Sequence, residues 1–147
     1  MSTKHPWFAP ERPLLIAGPC VAESYDLLDT TAAALKSMGE SLGWPVIFKS
    51  SFDKANRTSG GSQRGPGMDK ALGWLEDIRS KYGLAVLTDV HESQQVPEVA
   101  QVVDVLQIPA FLCRQTDLLA AAGASGMRVN IKKGQFMAAE DMQFAIR

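Results

Sequence analysis

The sequence lacks the long apolar runs, the cysteine density and the charge imbalance that mark several protein classes. No apolar run approaches the roughly 18 residues that a membrane-spanning helix needs. Two cysteines, Cys20 and Cys113, are too few for a disulfide scaffold and suit a reducing compartment. The 15 Lys and Arg against 16 Asp and Glu leave a net charge of −1, which excludes a globally basic nucleic-acid binder. The proline-containing N-terminus has no apolar core segment, so a secretory signal peptide is not expected.

The composition is that of an ordinary globular chain. Apolar residues make up 46% and charged residues 21% of the 147 positions, so disorder is not expected. At about 150 residues per domain, the length allows a single domain. We therefore expect a soluble, cytoplasmic protein that binds neither nucleic acid nor membrane.

Five short apolar runs without polar alternation predict strands that are buried on both faces, as in a parallel sheet. These runs are Leu14–Ala17, Val46–Phe48, Leu84–Leu87, Val102–Ile108 and Val129–Ile131. The segments between them carry apolar residues at three- and four-residue spacing, which predicts helices. The first predicted helix runs from a Ser24 cap to a Gly43 stop, and the second has its apolar positions from Leu72 to Tyr82 with Gly83 as its stop. The remaining helical patterns are 93–101 with a break near Pro97, Thr116–Ala122, and a helix that starts at Ala138.

Repeated β-α order requires parallel strands joined by right-handed crossovers. The predicted strands start roughly 29 residues apart, so eight units would need about 230 residues, close to the size of a (β/α)8 TIM barrel. Five units cannot close such a barrel, which leaves an open doubly wound sheet or part of a longer barrel. The last helical pattern runs to Arg147 without a stop signal. This favours an N-terminal extension over 1–13 and a partial (β/α)8 barrel over 14–147, with about five units (β1 to β5) and the fifth helix cut short.

Cationic residues follow two of the predicted strands, at the end where parallel α/β folds bind ligands. Lys49 and Lys54 follow the second strand and Lys132 follows the fifth. A lysine after a strand is often merely solvated, but a buried lysine cluster is costly unless an anion neutralises it. Three cations at corresponding strand ends favour a phosphate or carboxylate site over three solvated side chains.

The predicted loop from Phe52 to Gly67 is much longer than the two to six residues that are typical of βα loops. It carries Lys54, Arg57 and Arg64 against the single acid Asp53, together with four glycines. A long cationic loop of this kind favours an anion-binding role, and a merely solvated loop is the alternative.

Cys20 has two interpretations. A free cysteine is most often a small buried hydrophobe, and a thiolate at a strand end can also ligate a metal. The two histidines, His5 and His91, form no CxxC or HExxH spacing, so a complete metal site cannot be assembled from this sequence. Cys113 is expected to fill the core and His91 to lie in a loop or at a helix start. The absence of GxGxxG, Walker and GxSxG motifs weakens nucleotide-binding and serine-hydrolase functions.

Five motifs at the strand ends resemble one family. They are GPC followed by ES (18–24), FKSSFDKANR (48–57), TDVHE (88–92), QIPAFLCRQTDL (107–118) and VNIKKGQF (129–136). The chain resembles the 3-deoxy-D-manno-octulosonate 8-phosphate synthases from Leu14 to Arg147, which is about the first half of that family's barrel. The Lys-Ala-Asn-Arg segment at 54–57 is the most specific part, because the related 3-deoxy-arabino-heptulosonate 7-phosphate synthases carry a Lys-Pro-Arg-Thr type segment there.

The resemblance implies a condensation of phosphoenolpyruvate with D-arabinose 5-phosphate and water, which yields the eight-carbon keto-sugar acid phosphate and inorganic phosphate. In the family this reaction supplies a lipopolysaccharide sugar, and the enzymes are usually homotetramers. We expect this chain alone to be inactive. The alternatives are a heptulosonate synthase relative and a non-catalytic half-barrel that binds a phosphorylated ligand.

Matching the family motifs position by position implies two sets of substrate-binding residues. The residues matched to phosphoenolpyruvate are Lys49, Lys54, Gln107, Ala110, Phe111 and Lys132. The residues matched to arabinose 5-phosphate are Asn56, Arg57 (on its phosphate), Thr58 (where serine is usual) and Asp89, the last less firmly. Cysteine at position 20 is typical of the family's metal-dependent branch, so the resemblance also implies a divalent metal ion on Cys20. The remaining ligands, a His, a Glu and an Asp, are expected beyond Arg147.

Overall fold

Strands and helices alternate in the computed structural model, which describes residue 7, residues 11–54 and residues 65–146. The strands described are β1 (Leu15–Ala17), β2 (Val46–Lys49), β3 (Ala85–Asp89), β4 (Val105–Ile108) and β5 (Arg128–Ile131). The α-helices described are α1 (Tyr25–Leu42), α2 (Met68–Tyr82), α3 (Val96–Val99), α4 (Thr116–Ala124) and α5 (Gln143–Ile146). This order confirms the predicted α/β class, a (β/α) barrel represented by about five units. The chain forms two compact units, residues 1–86 and 87–147.

In the first unit, β1 and β2 are parallel, with Leu15 opposite Val46 and Ala17 opposite Phe48. The pairing continues past both strands, because Val21 bridges Ser51 and the backbone N–H of Ala22 donates to the Ser51 carbonyl over 2.9 Å. Helix α1 packs on β2 and on α2. The helix faces buried there are Leu28, Ala32, Leu35 and Gly39 of α1 and Ala71, Leu72, Leu75 and Ile78 of α2.

The ends of α1 follow the capping chemistry that the sequence indicates. The Ser24 hydroxyl accepts from the Leu27 backbone N–H over 3.2 Å and satisfies a donor that the first turn leaves over. Gly43 ends the helix with φ +66°, the left-handed conformation that glycine adopts most easily. The predicted start and stop of this helix are therefore confirmed.

A polar contact joins α1 to α2. Asp29 Oδ1 accepts from Lys81 Nζ over 2.7 Å and from the Tyr82 hydroxyl over 2.9 Å. The hydrogen bond from Lys81 lowers the pKa of Asp29 below its ordinary value, and the same hydrogen bond raises the pKa of Lys81. The folded state therefore favours the charged form of both groups.

Replacing Asp29 with asparagine should weaken the dependence of stability on acid pH. Because the pKa of Asp29 is lowered in the folded protein, its contribution to the free energy of unfolding is present above the unfolded-state pKa of about 3.9. That contribution is lost as the pH falls through the folded-state pKa. Because the pKa of Lys81 is raised, its contribution to stability is fully present below its unfolded-state pKa and is lost as the pH rises through its folded-state pKa. Lys81 therefore does not affect the acid range. Urea unfolding at pH 7 and pH 3 measures the effect. The control is Glu40→Gln, which breaks the exposed pair with Lys36 within α1. Equal acid sensitivity in parent and Asp29→Asn would refute the assignment.

In the second unit, β3, β4 and β5 are parallel. Leu87 lies opposite Val105, and Val105 lies opposite Arg128. Asp89 lies opposite Gln107, and Gln107 lies opposite Asn130, so these three residues form a single cross-strand row near the carboxyl ends of the strands. The backbone N–H of Lys132 donates to the Ile108 carbonyl over 3.1 Å and extends the β5 edge of the ladder.

Three local predictions differ from the structure or are refined by it. The fourth strand begins at Val105 instead of Val102, because the N–H groups of Val102 and Val103 both bond the Val99 carbonyl and complete a turn after α3. Pro97 lies in the first turn of α3, after a 3-10 turn at Ser93–Gln95, where a missing N–H costs nothing. The last predicted helix begins as a 3-10 turn at Glu140–Met142.

Cys113 is fully buried, as predicted.

No helix among the described residues has both the length and the hydropathy that crossing a membrane requires. The proposed extension at residues 1–13 lies mostly outside the described residues, and the domain division at residue 14 stays a prediction.

Candidate active site

The site residues named from the sequence that the structure describes fall into two groups, one in each compact unit. The first unit holds Cys20, Lys49 and Lys54. The second unit holds Asp89, Gln107, Ala110, Phe111 and Lys132. The three remaining residues, Asn56, Arg57 and Thr58, lie outside the described residues.

Lys49 and Lys54 meet at one buried hydroxyl. Lys49 Nζ donates to Ser51 Oγ over 2.7 Å, and Lys54 Nζ donates to the same oxygen over 3.3 Å. A serine hydroxyl has two lone pairs, so it can accept both hydrogen bonds. Ser51 is fully buried, whereas both lysines are half-buried. Two ammonium groups therefore share one acceptor at the end of β2.

The closeness of the two ammonium groups suits an anionic ligand. Because both bond Ser51 Oγ, their nitrogens are at most about 6 Å apart. Two like charges at that separation repel each other, and partial burial strengthens the repulsion. An anion bound between them replaces this repulsion with two charge-assisted hydrogen bonds. Phosphate and carboxylate groups have the charge and the acceptor oxygens that this arrangement suits.

Gly18 allows the backbone after β1 to pass close to the backbone of Lys49. Its φ is +153°, and an ideal Cβ at that position would lie 2.0 Å from the carbonyl oxygen of Lys49. No side chain fits at that distance, so only glycine lets the chain after β1 approach the end of β2 this closely. The approach also brings the Cys20 carbonyl within 3.4 Å of Lys49 Nζ, which donates to it. The Gly18-Pro19-Cys20 turn and Lys49 are thus one local assembly.

Cys20 is exposed at this strand end and is not the small buried hydrophobe that was the first interpretation. An accessible thiol suits a metal ligand chemically, because a thiolate binds divalent ions such as zinc. No cluster of three or more His, Cys, Asp or Glu side chains with metal-binding geometry occurs within residues 11–54 and 65–146. Cys20 therefore supplies one donor, and the described residues do not complete a site around it.

The second group is a row of polar side chains across β3, β4 and β5. Gln107 Nε2 donates to Asp89 Oδ1, and Asn130 Nδ2 donates to Gln107 Oε1 over 2.8 Å. Asp89 is 6% exposed and Gln107 is 5% exposed, whereas Asn130 is half-buried. Buried polar groups are tolerated when they are hydrogen-bonded in this way. The row places an oriented amide and a carboxylate at the strand ends.

The other predicted residues of the second unit come after strands that carry this row. Ala110 and Phe111 form a 3-10 turn directly after β4, and the Phe111 ring is 55% exposed. Lys132 follows β5 with an exposed side chain. His91 lies in the loop after β3, as predicted, where its backbone N–H donates to Gln95 Oε1 over 2.8 Å. Convergence of Lys132 with Lys49 and Lys54 stays a prediction.

Sequence reasoning assigned no role to Ser51 or Asn130. Ser51 lies between the two lysines in the sequence, but which of the neighbouring hydroxyls they share depends on how the chain turns after β2. Asn130 could have been found from its position two residues before Lys132, since alternate strand residues face the same side. Its pairing with Gln107 depends on strand register, which a single sequence does not reveal.

A cavity of about 1000 Å³ lies elsewhere in the second unit. It is bordered by α4, β5 and α5, and its lining includes Leu119, Val129 and Met142. The nearby side chains of Phe144 and Ile146 are exposed. None of the predicted substrate-binding residues lines this cavity, so we assign it no role in the chemistry.

Comparison with known proteins identifies the family. A family model described as the DAHP synthetase I family matches residues 9–147. The chain belongs to this family. Among curated relatives, a protein from Aromatoleum aromaticum is 60% identical over 129 residues, and one from Variovorax paradoxus is 60% identical over 132 residues. A protein from Bordetella petrii is 58% identical over 139 residues.

All three relatives carry the name 2-dehydro-3-deoxyphosphooctonate aldolase. The matched segments cover 88%, 90% and 95% of this chain, but only 46%, 46% and 47% of the respective relatives. The chain thus spans less than half the length of the curated relatives that it matches. The family resemblance drawn from the strand-end motifs is confirmed.

Proposed function

We propose that this chain forms the first half of an enzyme that condenses phosphoenolpyruvate with D-arabinose 5-phosphate and water to 3-deoxy-D-manno-octulosonate 8-phosphate and phosphate. The observation that carries the proposal is the lysine pair on Ser51, in a chain whose 60%-identical relatives are named for the eight-carbon product. The proposal extends to a place in lipopolysaccharide sugar synthesis, to the cytoplasm and to a homotetramer, as the family resemblance suggests.

The lysine pair would hold phosphoenolpyruvate. This substrate carries about three negative charges, so cations that would repel each other are stabilised by its binding. Lys49 and Lys54 bind its anionic groups, with Lys132, Gln107, Ala110 and Phe111 as further contacts. The arrangement leaves C3 of phosphoenolpyruvate to approach the aldehyde carbon, and fixing both substrates by their phosphates supplies the orientation that this bond needs.

The aldose would be held by the loop after β2 and by Asp89. Arg57 binds the sugar phosphate in a bidentate contact, Asn56 and Thr58 bind beside it, and Asp89 accepts from the sugar hydroxyls. As C3 bonds to the aldehyde carbon, the aldehyde oxygen takes up a proton and becomes a hydroxyl, and C2 becomes electron-poor. Water then adds to C2 and releases a proton, and the resulting hemiketal phosphate breaks down to the C2 ketone with loss of inorganic phosphate. Each of these side chains binds or orients a substrate.

The reaction can be tested in a completed barrel, which we define as this chain followed by the part of the Variovorax paradoxus relative that lies beyond the matched segment. Product mass and phosphate release are measured with phosphoenolpyruvate and either arabinose 5-phosphate or erythrose 4-phosphate. We expect the five-carbon aldose to be used with the higher kcat/KM. Faster condensation of erythrose 4-phosphate would support the heptulosonate alternative, and phosphoenolpyruvate binding without turnover would support the non-catalytic half-barrel.

We also propose that Cys20 ligates a divalent metal ion, with the other ligands outside this chain. Its support is the exposed thiol at the end of β1. When bound, such an ion would supply Lewis acidity toward a water or the aldehyde oxygen.

Cys20→Ser should remove the thiolate contact. The completed barrel loaded with Co²⁺ is expected to show a sulfur-to-cobalt charge-transfer band, which is lost in Cys20→Ser, together with most of the bound metal. Cys113→Ala is the control, because Cys113 is fully buried in the core and should leave the band unchanged. A band that survives in Cys20→Ser would refute the ligand assignment without reference to activity.

A further inference from the structure

The row of Asp89, Gln107 and Asn130 has a fixed hydrogen-bond direction. A carboxylate can only accept, so Gln107 must turn its amide NH₂ toward Asp89. The Gln107 carbonyl oxygen then faces Asn130, which must donate its own NH₂. The direction of every amide in the row is thus set by chemistry, starting from the carboxylate.

The open end of the row is the Asn130 amide. Gln107 occupies its Nδ2 side, so Asn130 Oδ1 points away from Gln107. Exposure also changes along the row, because Asp89 and Gln107 are buried and Asn130 is half-buried. Two buried groups therefore hold the amide of a half-buried residue in one orientation, which is how a specific hydrogen-bond acceptor for a ligand is built.

We propose that Asn130 is a specificity-determining residue whose Oδ1 accepts a hydrogen bond from a hydroxyl of the sugar phosphate substrate. The ligand class follows from the atom, since an oriented amide oxygen selects a donor and a phosphosugar offers several hydroxyl donors. The proposal rests on the proposed function for the identity of that sugar. Gln107 and Asp89 act in it as positioning residues that prevent the Asn130 amide from turning over.

The test is a thermodynamic cycle in the completed barrel that combines Asn130→Leu with the removal of single hydroxyl groups from the substrate. Parent and Asn130→Leu are compared by kcat/KM and by calorimetric binding, with arabinose 5-phosphate and with its 2-deoxy, 3-deoxy and 4-deoxy analogues. For one analogue, loss of the hydroxyl should lower both quantities by about tenfold or more in the parent and by much less in Asn130→Leu, because its partner is already gone. Gln94→Leu removes an exposed amide of the same unit and should leave every ratio unchanged.

The comparison across the analogues separates ligand recognition from a purely structural role. A change that only disturbs the row should lower kcat/KM for arabinose 5-phosphate and for all three analogues by a similar factor, whereas loss of a specific acceptor removes the response to one hydroxyl. Asn130→Ala, which adds no bulk, repeats the comparison, and the thermal unfolding midpoint of each variant reports the structural cost separately. An equal loss for every sugar in both variants would overturn the proposal, because it would mean that Asn130 only stabilises the row.

The outcomes also separate this proposal from the proposed function. Binding of arabinose 5-phosphate with the expected coupling to Asn130, but without phosphate release, supports the Asn130 assignment and contradicts the synthase activity. Turnover without coupling for any analogue supports the synthase and overturns the Asn130 assignment. If the parent neither binds nor converts a sugar phosphate, both proposals are wrong.

Discussion

Replacing Lys49 with methionine in the completed barrel should lower kcat/KM for phosphoenolpyruvate by roughly 10- to 150-fold. Methionine retains the length and the apolar stem of lysine but removes the charge. A charge-assisted hydrogen bond contributes about 1.5–3 kcal/mol, and methionine at position 49 cannot form one with phosphoenolpyruvate. The effect should be carried mainly by the KM for phosphoenolpyruvate, with a smaller change in the KM for the aldose.

The matched control is Lys70→Met. Lys70 is an exposed lysine of the same unit that lies over the Trp74 ring at 5.0 Å, and it takes no part in the strand-end cluster. We expect its kinetic constants to match those of the parent. A Lys49→Met protein with parental kcat/KM would show that the lysine pair does not bind phosphoenolpyruvate.

Gly18→Ala should strongly destabilise the first unit. The added Cβ would lie 2.0 Å from the Lys49 carbonyl oxygen, so the backbone of β2 must move or the pairing of β1 with β2 must open. Overpacking together with backbone strain predicts a loss of at least about 2 kcal/mol in the free energy of unfolding. Because Lys49 shifts with its backbone, the affinity for phosphoenolpyruvate should fall as well.

Gly43→Ala separates the steric clash from the loss of a glycine. Gly43 also has a positive φ, +66°, but an added Cβ would meet nothing within 4 Å. We expect a cost of about 1 kcal/mol from the left-handed backbone alone, with unchanged affinity for phosphoenolpyruvate. Urea unfolding and calorimetry on both variants measure the difference. Equal stabilities would contradict the account of the close approach between Gly18 and Lys49.

The fold could be predicted largely because its signals are local. The Ser24 cap, the Gly43 stop and the apolar faces of α1 and α2 are each read from neighbouring residues, and the structure has them as predicted. The start of β4 was placed three residues early, because Val102 and Val103 are as apolar as a strand but their N–H groups complete a helical turn. Hydrophobicity alone does not distinguish these two uses of valine.

The candidate site was predictable in part. The position of Lys49 at a strand end follows from the apolar run before it, so its place in a ligand-binding region could be inferred. The hydroxyl that it shares with Lys54, and the partnership of Asn130 with Gln107, depend on distances and registers between segments far apart in sequence. The roles of Asn56 and Arg57 depend on the family resemblance and stay predictions.

Binding of phosphoenolpyruvate by the lysine pair on Ser51 is tested by calorimetric titration of the completed barrel with phosphoenolpyruvate in the absence of aldose. The parent is compared with the double variant Lys49→Met, Lys54→Met and with the control Lys36→Met, Lys70→Met, which carries the same change in net charge. We expect binding to be lost in the first variant and retained in the control. Equal affinity in both variants would show that the lysine pair does not bind phosphoenolpyruvate.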